Sequence, residues 1–432
     1  MRQIINPFFF IILYIFFFGC KKKTIETKRP NIIFILADDL GYMDVQGYAH
    51  HTLGVEKTNM YYETPHLDQL MSEGVSFSQA YANQLCSPTR ASLLTGKYAA
   101  RLGVTTATGP EPTYFNTNLE PPEGSYIHDC LYHVDPIKTQ QVWVNGSSSS
   151  AVPAGTQYDN GRDELSLAEV LEDYHSSFIG KWHIGGHGSK GYQPSDQGFE
   201  ELVYWDAPGS VYFDWKNEWL APFGHVNSKY ARYKDIPKRP NNYFVTGNIG
   251  EETGKEYLTD DLTAQAVNFI NKRATIKDEP FFLYFCHFAV HTPLQGRVQD
   301  IQHFENKESK GWNNHVSPVY ASMVKSLDES VGGIMKALEK NGLENNTLVV
   351  FMSDNGGIST KIAHKGTYTD NSPFLGGKAN VTEGGIRVPL IFRWKNNIKG
   401  GQWSDIAVDC SDILPTFTDI AGYNVNEIIK TN

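Results

Sequence analysis

Apolar residues in this chain gather into short unbroken runs that end abruptly on charged or imidazole side chains. PNIIFILADDLG (residues 30–41) is apolar until Asp38 and Asp39. SSFIGKWH (176–183), PFFLYFCHFA (280–289), TLVVFMSDNGG (347–357) and RVPLIFRW (387–394) have the same form. A run without alternation fits a strand buried on both faces, as in a parallel sheet. Between the runs the apolar period changes. In 64–74 Thr64 stands at a cap, Pro65 at the first helical position and Gly74 beyond the end, so a helix is expected. Residues 166–174, 259–273 and 411–422 also read as helices. In 320–341 the stripe Tyr320, Val324, Leu327, Val331, Ile334 and Leu338 predicts the longest one, with Gly342 after it. A short strand is expected near VSFSQAYA (75–82). Strands alternating with helices predict a doubly wound α/β fold, a mostly parallel sheet sandwiched by helices.

Three stretches depart from this rhythm. FFFIILYIFFF (8–18) is an apolar run of 11 residues, ending at Gly19-Cys20 and three lysines. A membrane span needs about 20 residues, so the run reads as a secretory signal over 1–19. A small residue before cysteine resembles the lipobox of bacterial lipoproteins. That implies a lipid on Cys20, a linker over 20–29, export, and a periplasmic or outer-membrane-anchored location. Residues 104–163, rich in Pro, Gly and Ser, and 201–257, rich in aromatics, read as insertions that shape a cleft. Trp205, Tyr212, Phe213, Trp215 and Trp219 fit either sugar stacking or ordinary packing.

Charge narrows the partners. A net charge of −10 with no basic stripe argues against nucleic acid. An anionic substrate needs a local group of cations. Four strand ends supply candidates: Asp38-Asp39, Lys181 with His183, His287 with His291, and Asp354-Asn355. Ligands of open α/β sheets bind beyond the carboxyl ends of strands, so the four clusters are expected in one crevice. Asp38, Asp39, Asp354 and Asn355 offer oxygen ligands, which suit a hard cation, calcium before magnesium. The lysines and histidines suit a tetrahedral oxyanion. LCSPTRASLLTG (85–96) reads as a helix start with Ser87 as cap, Pro88 as first helical residue and Gly96 closing it. Cys86 then sits at the positive end of the helix, with Arg90 leaning back toward it. A thiolate pairs poorly with a hard cation, and an oxygen nucleophile would suit one better.

CSPTRASLLTG resembles the C-x-P-x-R signature of type I sulfatases, members of the alkaline phosphatase superfamily. GKWHIG, HTPL, SDNGG, GGKANVTEGGIRVPL and DILPTFTDIAG follow in family order. The resemblance implies an alkaline phosphatase-like catalytic domain over 30–432, with the family's small C-terminal subdomain missing. It implies that a maturation enzyme converts Cys86 to formylglycine. It implies calcium on Asp38, Asp39, Asp354, Asn355 and oxidised Cys86, and sulfate on Lys181 and Lys378. Arg90 would hold the formylglycine. A hydroxyl of its diol would attack sulfur, with His291 protonating the leaving oxygen and His183 serving sulfate release. His287 reads as structural, and Glu383 and Arg387 as support for Lys378 and the fold. The expected reaction is sulfate-ester hydrolysis on a sulfated saccharide. The rivals are a phosphodiesterase or phosphonate monoester hydrolase of the same superfamily, and a non-catalytic lipid-anchored binding protein.

Overall fold

The computed structural model describes residues 29–107, 113–116, 125–129, 140–145, 164–184, 194–205, 209–213, 215, 257–308, 314–359 and 368–431. Its centre is an eight-stranded sheet. In chain order the strands are β1 (Asn31–Ala37), β2 (Val75–Phe77), β3 (His175–Lys181), β4 (Glu201–Trp205), β5 (Phe281–Cys286), β6 (Thr347–Ser353), β7 (Leu390–Trp394) and β8 (Gln402–Ser404). Across the sheet the order is β8-β2-β7-β6-β1-β5-β3-β4. The block β6-β1-β5-β3-β4 is parallel throughout. Only β7 runs against its neighbours β6 and β2.

Every residue of β1 is buried, as its unbroken apolar run requires. Ile32, Phe34 and Leu36 face the layer of helix α2 (Cys86–Thr95) and helix α5 (Ile413–Ile420), meeting Leu94 and Phe417 among others. Ile33, Ile35 and Ala37 face the opposite layer. There the apolar stripes of α3 (Leu258–Arg273) and α4 (Pro318–Lys340) close over them, with Leu262, Ala266, Val324, Leu327 and Val331 fully covered. Burying one such aliphatic side chain is worth roughly 1.5–3 kcal/mol. The two-sided sandwich is the predicted fold.

Local expectations needed three corrections. α2 begins at Cys86, two residues earlier than the proline suggested, with Leu85 extended at the cap and no side-chain cap. Pro88 is the third helical residue. That is permitted, because the first four helical N–H groups have no partner inside the helix. In α1 (Pro65–Ser72) Thr64 holds the cap position, but its hydroxyl accepts from the Gln46 amide at 2.9 Å. Asp328 of α4 takes over the capping, accepting from the amides of His66 (3.0 Å) and Leu67 (2.7 Å). The helix expected over 166–174 is a single turn, Leu167–Val170, closed by a reciprocal Ser166–Glu169 capping box.

Within the first insertion, Thr113–Asn116, Ser125–Asp129 and Gln140–Asn145 pair as a three-stranded antiparallel sheet. In the second, Tyr212 and Trp215 are buried, the Trp215 indole donating to Asp261 of α3 at 2.9 Å. Those two aromatics pack; they offer no platform for a sugar. Trp219 and Cys20 lie outside the described residues, as does the apolar run of 8–18. Among the described residues no helix is long and apolar enough to cross a membrane.

Candidate active site

The strand order decides where the chemistry gathers. β6, β1, β5 and β3 are adjacent and parallel, so their carboxyl ends open side by side. β6 delivers Asp354 and Asn355, β1 delivers Asp38 and Asp39, β5 leads to His287 and His291, and β3 ends in Lys181 before His183. α2 adds Cys86 and Arg90 from the first layer. Lys378 arrives on a loop tied on both sides, its amide donating to Gly357 O (3.1 Å) and the Ala379 amide to Gln84 O (2.8 Å). β3 approaches closely enough only because residue 180 is glycine. A Cβ there would stand 1.7 Å from the Cys286 carbonyl oxygen.

Each acid has its own cation. Lys181 Nζ donates to Asp38 at 2.6 Å. Arg90 donates to Asp354 at 2.7 Å and to the Lys181 carbonyl at 2.8 Å. Lys378 Nζ lies 2.8 Å from both oxygens of Asp39. Asp39 has a φ of 62°, uncommon for a residue with a side chain, and its amide meets Asp354 Oδ1 at 3.2 Å. Asn355 donates to Asp39 Oδ1 at 2.8 Å. Cys86 Sγ lies 3.3 Å from His183 Nδ1. Arg90 therefore braces the acids and the β3 end while sharing the cysteine's helix.

Burial disfavours charge here, so the pairs set the titrations. For Asp39, burial is outweighed by Lys378, His291 and Lys181, and its carboxyl is held below the ordinary range. Lys378 is raised despite burial, chiefly by Asp39. Burial, reinforced by Lys378, pushes His291 well below its usual value. Its Nδ1 sits 2.6 Å from the Thr292 carbonyl oxygen, which can only accept. Nδ1 thus carries the proton, and Nε2 faces Asp39 Oδ2 at 3.7 Å.

The same residues fit a hard cation. Asp38, Asp39 and His291 present atoms within 4.8 Å of one another. Asp38 Oδ1 and Asn355 Oδ1 are buried with no hydrogen-bond partner. Burial drives the Asp38 carboxyl well above its ordinary pKa, the sense expected of an acid short of positive charge. Three carboxylates (Asp38, Asp39, Asp354) stand against three cations (Arg90, Lys181, Lys378), so an added divalent ion leaves the crevice positive enough to receive an anion.

His287 faces away from this chemistry. It is wholly buried, with Nε2 3.1 Å from Ser330 Oγ, and burial lowers it to about 3 from 6.5. Between those values the unfolded chain binds a proton that the folded one refuses. Stability is therefore complete above the unfolded pKa and falls as pH drops toward the folded one. By pH 5 this histidine alone should remove roughly 2 kcal/mol. Melting of the wild type should decline between pH 7 and 5, and His287→Asn should flatten that decline. Parallel slopes would reject the assignment.

Glu383 and Arg387 do serve the fold. Arg387 pairs with Glu383 at 2.9 Å and donates to Ser78 O at 2.7 Å. Two supports went unread in the sequence. Tyr320, counted as part of an apolar stripe, donates to buried Asp44 at 2.7 Å and lies 3.4 Å from the Asp39 carbonyl. Tyr212 holds the His291 turn, and nothing in its irregular surroundings marks it.

The sulfatase family profile matches residues 30–423. The chain belongs to the sulfatase family. A sulfatase of Formosa agariphila is 30% identical over 430 residues, covering 93% of this chain and 70% of that protein. The N-acetylgalactosamine-6-sulfatase of Rattus norvegicus is 29% identical over 398 residues, covering 91% of this sulfatase. The chain spans only 62% of the rat enzyme's length. The crystal structure of Ps i-CgsB in complex with k-i-k-neocarrahexaose superposes with a TM-score of 0.65 at 29% identity, covering 94% of this sulfatase and 74% of that chain.

Proposed function

We propose that this sulfatase hydrolyses sulfate esters of a saccharide, with Cys86 matured to formylglycine and a calcium ion held by Asp38, Asp39, Asp354, Asn355 and the matured residue 86. The observation that carries the reading is the crevice itself. A buried cysteine at a helix start lies 3.3 Å from a histidine, beside three acids each matched by a cation. Bound there, calcium would supply positive charge beside the sulfate oxygens, and the matured residue a hydrated aldehyde as oxygen nucleophile. Lys181 and Lys378 would exchange part of their contact with Asp38 and Asp39 for the sulfate, binding and orienting it. His183 Nδ1, the nitrogen nearest residue 86, would take the proton of the diol's second hydroxyl, so that sulfate can leave as the aldehyde is restored. His291 would carry a proton on Nε2 to the leaving oxygen, its proton affinity raised by the arriving anion. Arg90 would keep residue 86 and Asp354 in register.

The saccharide class draws support from relatives: one is named an N-acetylgalactosamine-6-sulfatase, and one was solved with a neocarrahexaose. Export, a lipid on Cys20 and a maturation enzyme acting on Cys86 belong to the same proposal.

The test is sulfate release from defined sulfated saccharides, against phosphodiesters and phosphonate monoesters as competitors, with and without a chelator. Sulfate esters should be preferred. Chelation should lower turnover by at least about 100-fold and lower the melting temperature, with calcium restoring both. A ligand at 100 times its Kd stabilises by about 2.7 kcal/mol, so the melt is a readout independent of turnover. Preference for phosphodiesters would overturn the substrate reading. Indifference of both activity and melting to chelation would overturn the cation.

A further inference from the structure

We infer that Gly209 and Tyr212 are positioning residues for His291, fixing which of its ring nitrogens faces the reacting group. The inference rests on the reading of His291 as proton donor to the leaving oxygen, and reaches residues that the site chemistry above does not use.

His291 sits on the turn that follows β5, its amide donating to Phe288 O at 2.8 Å. The Tyr212 hydroxyl lies 2.6 Å from Phe288 O and 2.9 Å from His291 O, sharing one proton between the two ends of that turn. Tyr212 is wholly buried. Its amide donates to Gln295 Oε1 at 2.7 Å, and the Gln295 carbonyl accepts from the Tyr257 hydroxyl at 2.9 Å. Its carbonyl accepts from the Leu258 amide at the start of α3, at 2.8 Å. The segment is thus anchored to a rigid helix on one side and to the His291 turn on the other.

Gly209 uses that anchorage. A Cβ added there would stand 3.1 Å from His291 Nδ1 and 3.2 Å from the Thr292 carbonyl oxygen. Those are the two atoms of the bond that holds the proton on Nδ1. Any side chain at residue 209 would therefore press on this bond, and on the ring carbon Cε1 at 3.2 Å. Nε2, with its lone pair, is left on the side of Asp39 and Lys378. Because Tyr212 pins the segment, a methyl group at residue 209 displaces the imidazole by a few tenths of an ångström. Tyr212→Phe keeps the ring in the core and releases the turn.

Leaving groups separate positioning from a merely structural role. With a saccharide sulfate, whose alkoxide needs a proton to leave, Gly209→Ala should lower kcat by roughly 10-fold or more. With 4-nitrophenyl sulfate, whose phenolate leaves unaided, the loss should stay within about 3-fold. Tyr212→Phe should shift the ratio in the same direction. Nitrogen-15 spectra of histidine-labelled protein, with His291→Gln for assignment, give a readout free of turnover. The wild type should show neutral His291 protonated on Nδ1, and the variants a mixture of tautomers. An Nε2–H tautomer in the wild type overturns the inference without any variant. Equal losses on both esters with unchanged His291 signals overturn it as well. Failure of the wild type to hydrolyse either ester would sink the sulfatase reading instead, and the spectra would still decide the tautomer.

Discussion

Cys86→Ala should remove sulfate-ester hydrolysis, lowering turnover by roughly 10⁴-fold or more, the scale seen when a nucleophile is deleted from an intact site. The fold should hardly register the change. Residue 86 is 2% exposed at the first position of α2, and alanine removes only its small polar group, whose contact is His183. A cost of about 1 kcal/mol is expected. Turnover on a saccharide sulfate and a thermal melt, run on the same preparation, separate the two effects. Peptide mass spectrometry of the wild type should find residue 86 altered from a thiol. Full activity in Cys86→Ala would refute the nucleophile outright.

Arg90→Ala should do the opposite, damaging fold and activity together. The guanidinium is 1% exposed and spans Asp354, the Lys181 carbonyl and, at 3.9 Å, Asp38. Burial works against its charge, yet Asp354 and Asp38 hold it above its ordinary pKa. Removing one partner of a buried pair costs about 3–5 kcal/mol, because the other charge stays behind. A melting temperature lower by roughly 3–6 °C is expected for a chain of this size. Arg90→Lys keeps the charge but cannot form both bonds of the fork, so it should recover only part of the loss. A melt unchanged in Arg90→Ala would mean that Asp354 has another source of compensation.

Asp38, Asp39, Lys181, Asp354 and Asn355 are legible in the sequence for one reason: each stands where an apolar strand ends. An apolar run that stops at Asp38-Asp39, or at Asp354-Asn355, announces both the strand and its polar end, and parallel packing brings the ends together. Lys378 carries no such mark. It lies in a glycine-rich loop, and its value depends on a tertiary contact with Asp39, so only the resemblance to a family singled it out. The start of α2 was misplaced because proline usually opens a helix, whereas here the backbone had already turned helical at Cys86. Thr64 was given a capping bond that Asp328, 264 residues away, makes instead. Tyr212 is one aromatic among many in its segment, and nothing in the sequence marks Gly209. Packing an irregular segment against a turn leaves no period in the chain.

The pairing of Asp39 with Asn355 joins residues 316 apart in sequence. No partly folded intermediate that lacks β6 can own the proposed cation site, however well its first half is built. Contacts so distant along the chain form late and slowly. The proposed ion would then inspect the finished sheet, adding stability to molecules that have closed β6 against β1 and none to those that have not. A deletion or misfolding event anywhere between the two halves should therefore appear first as lost cation affinity, before any loss of helix content.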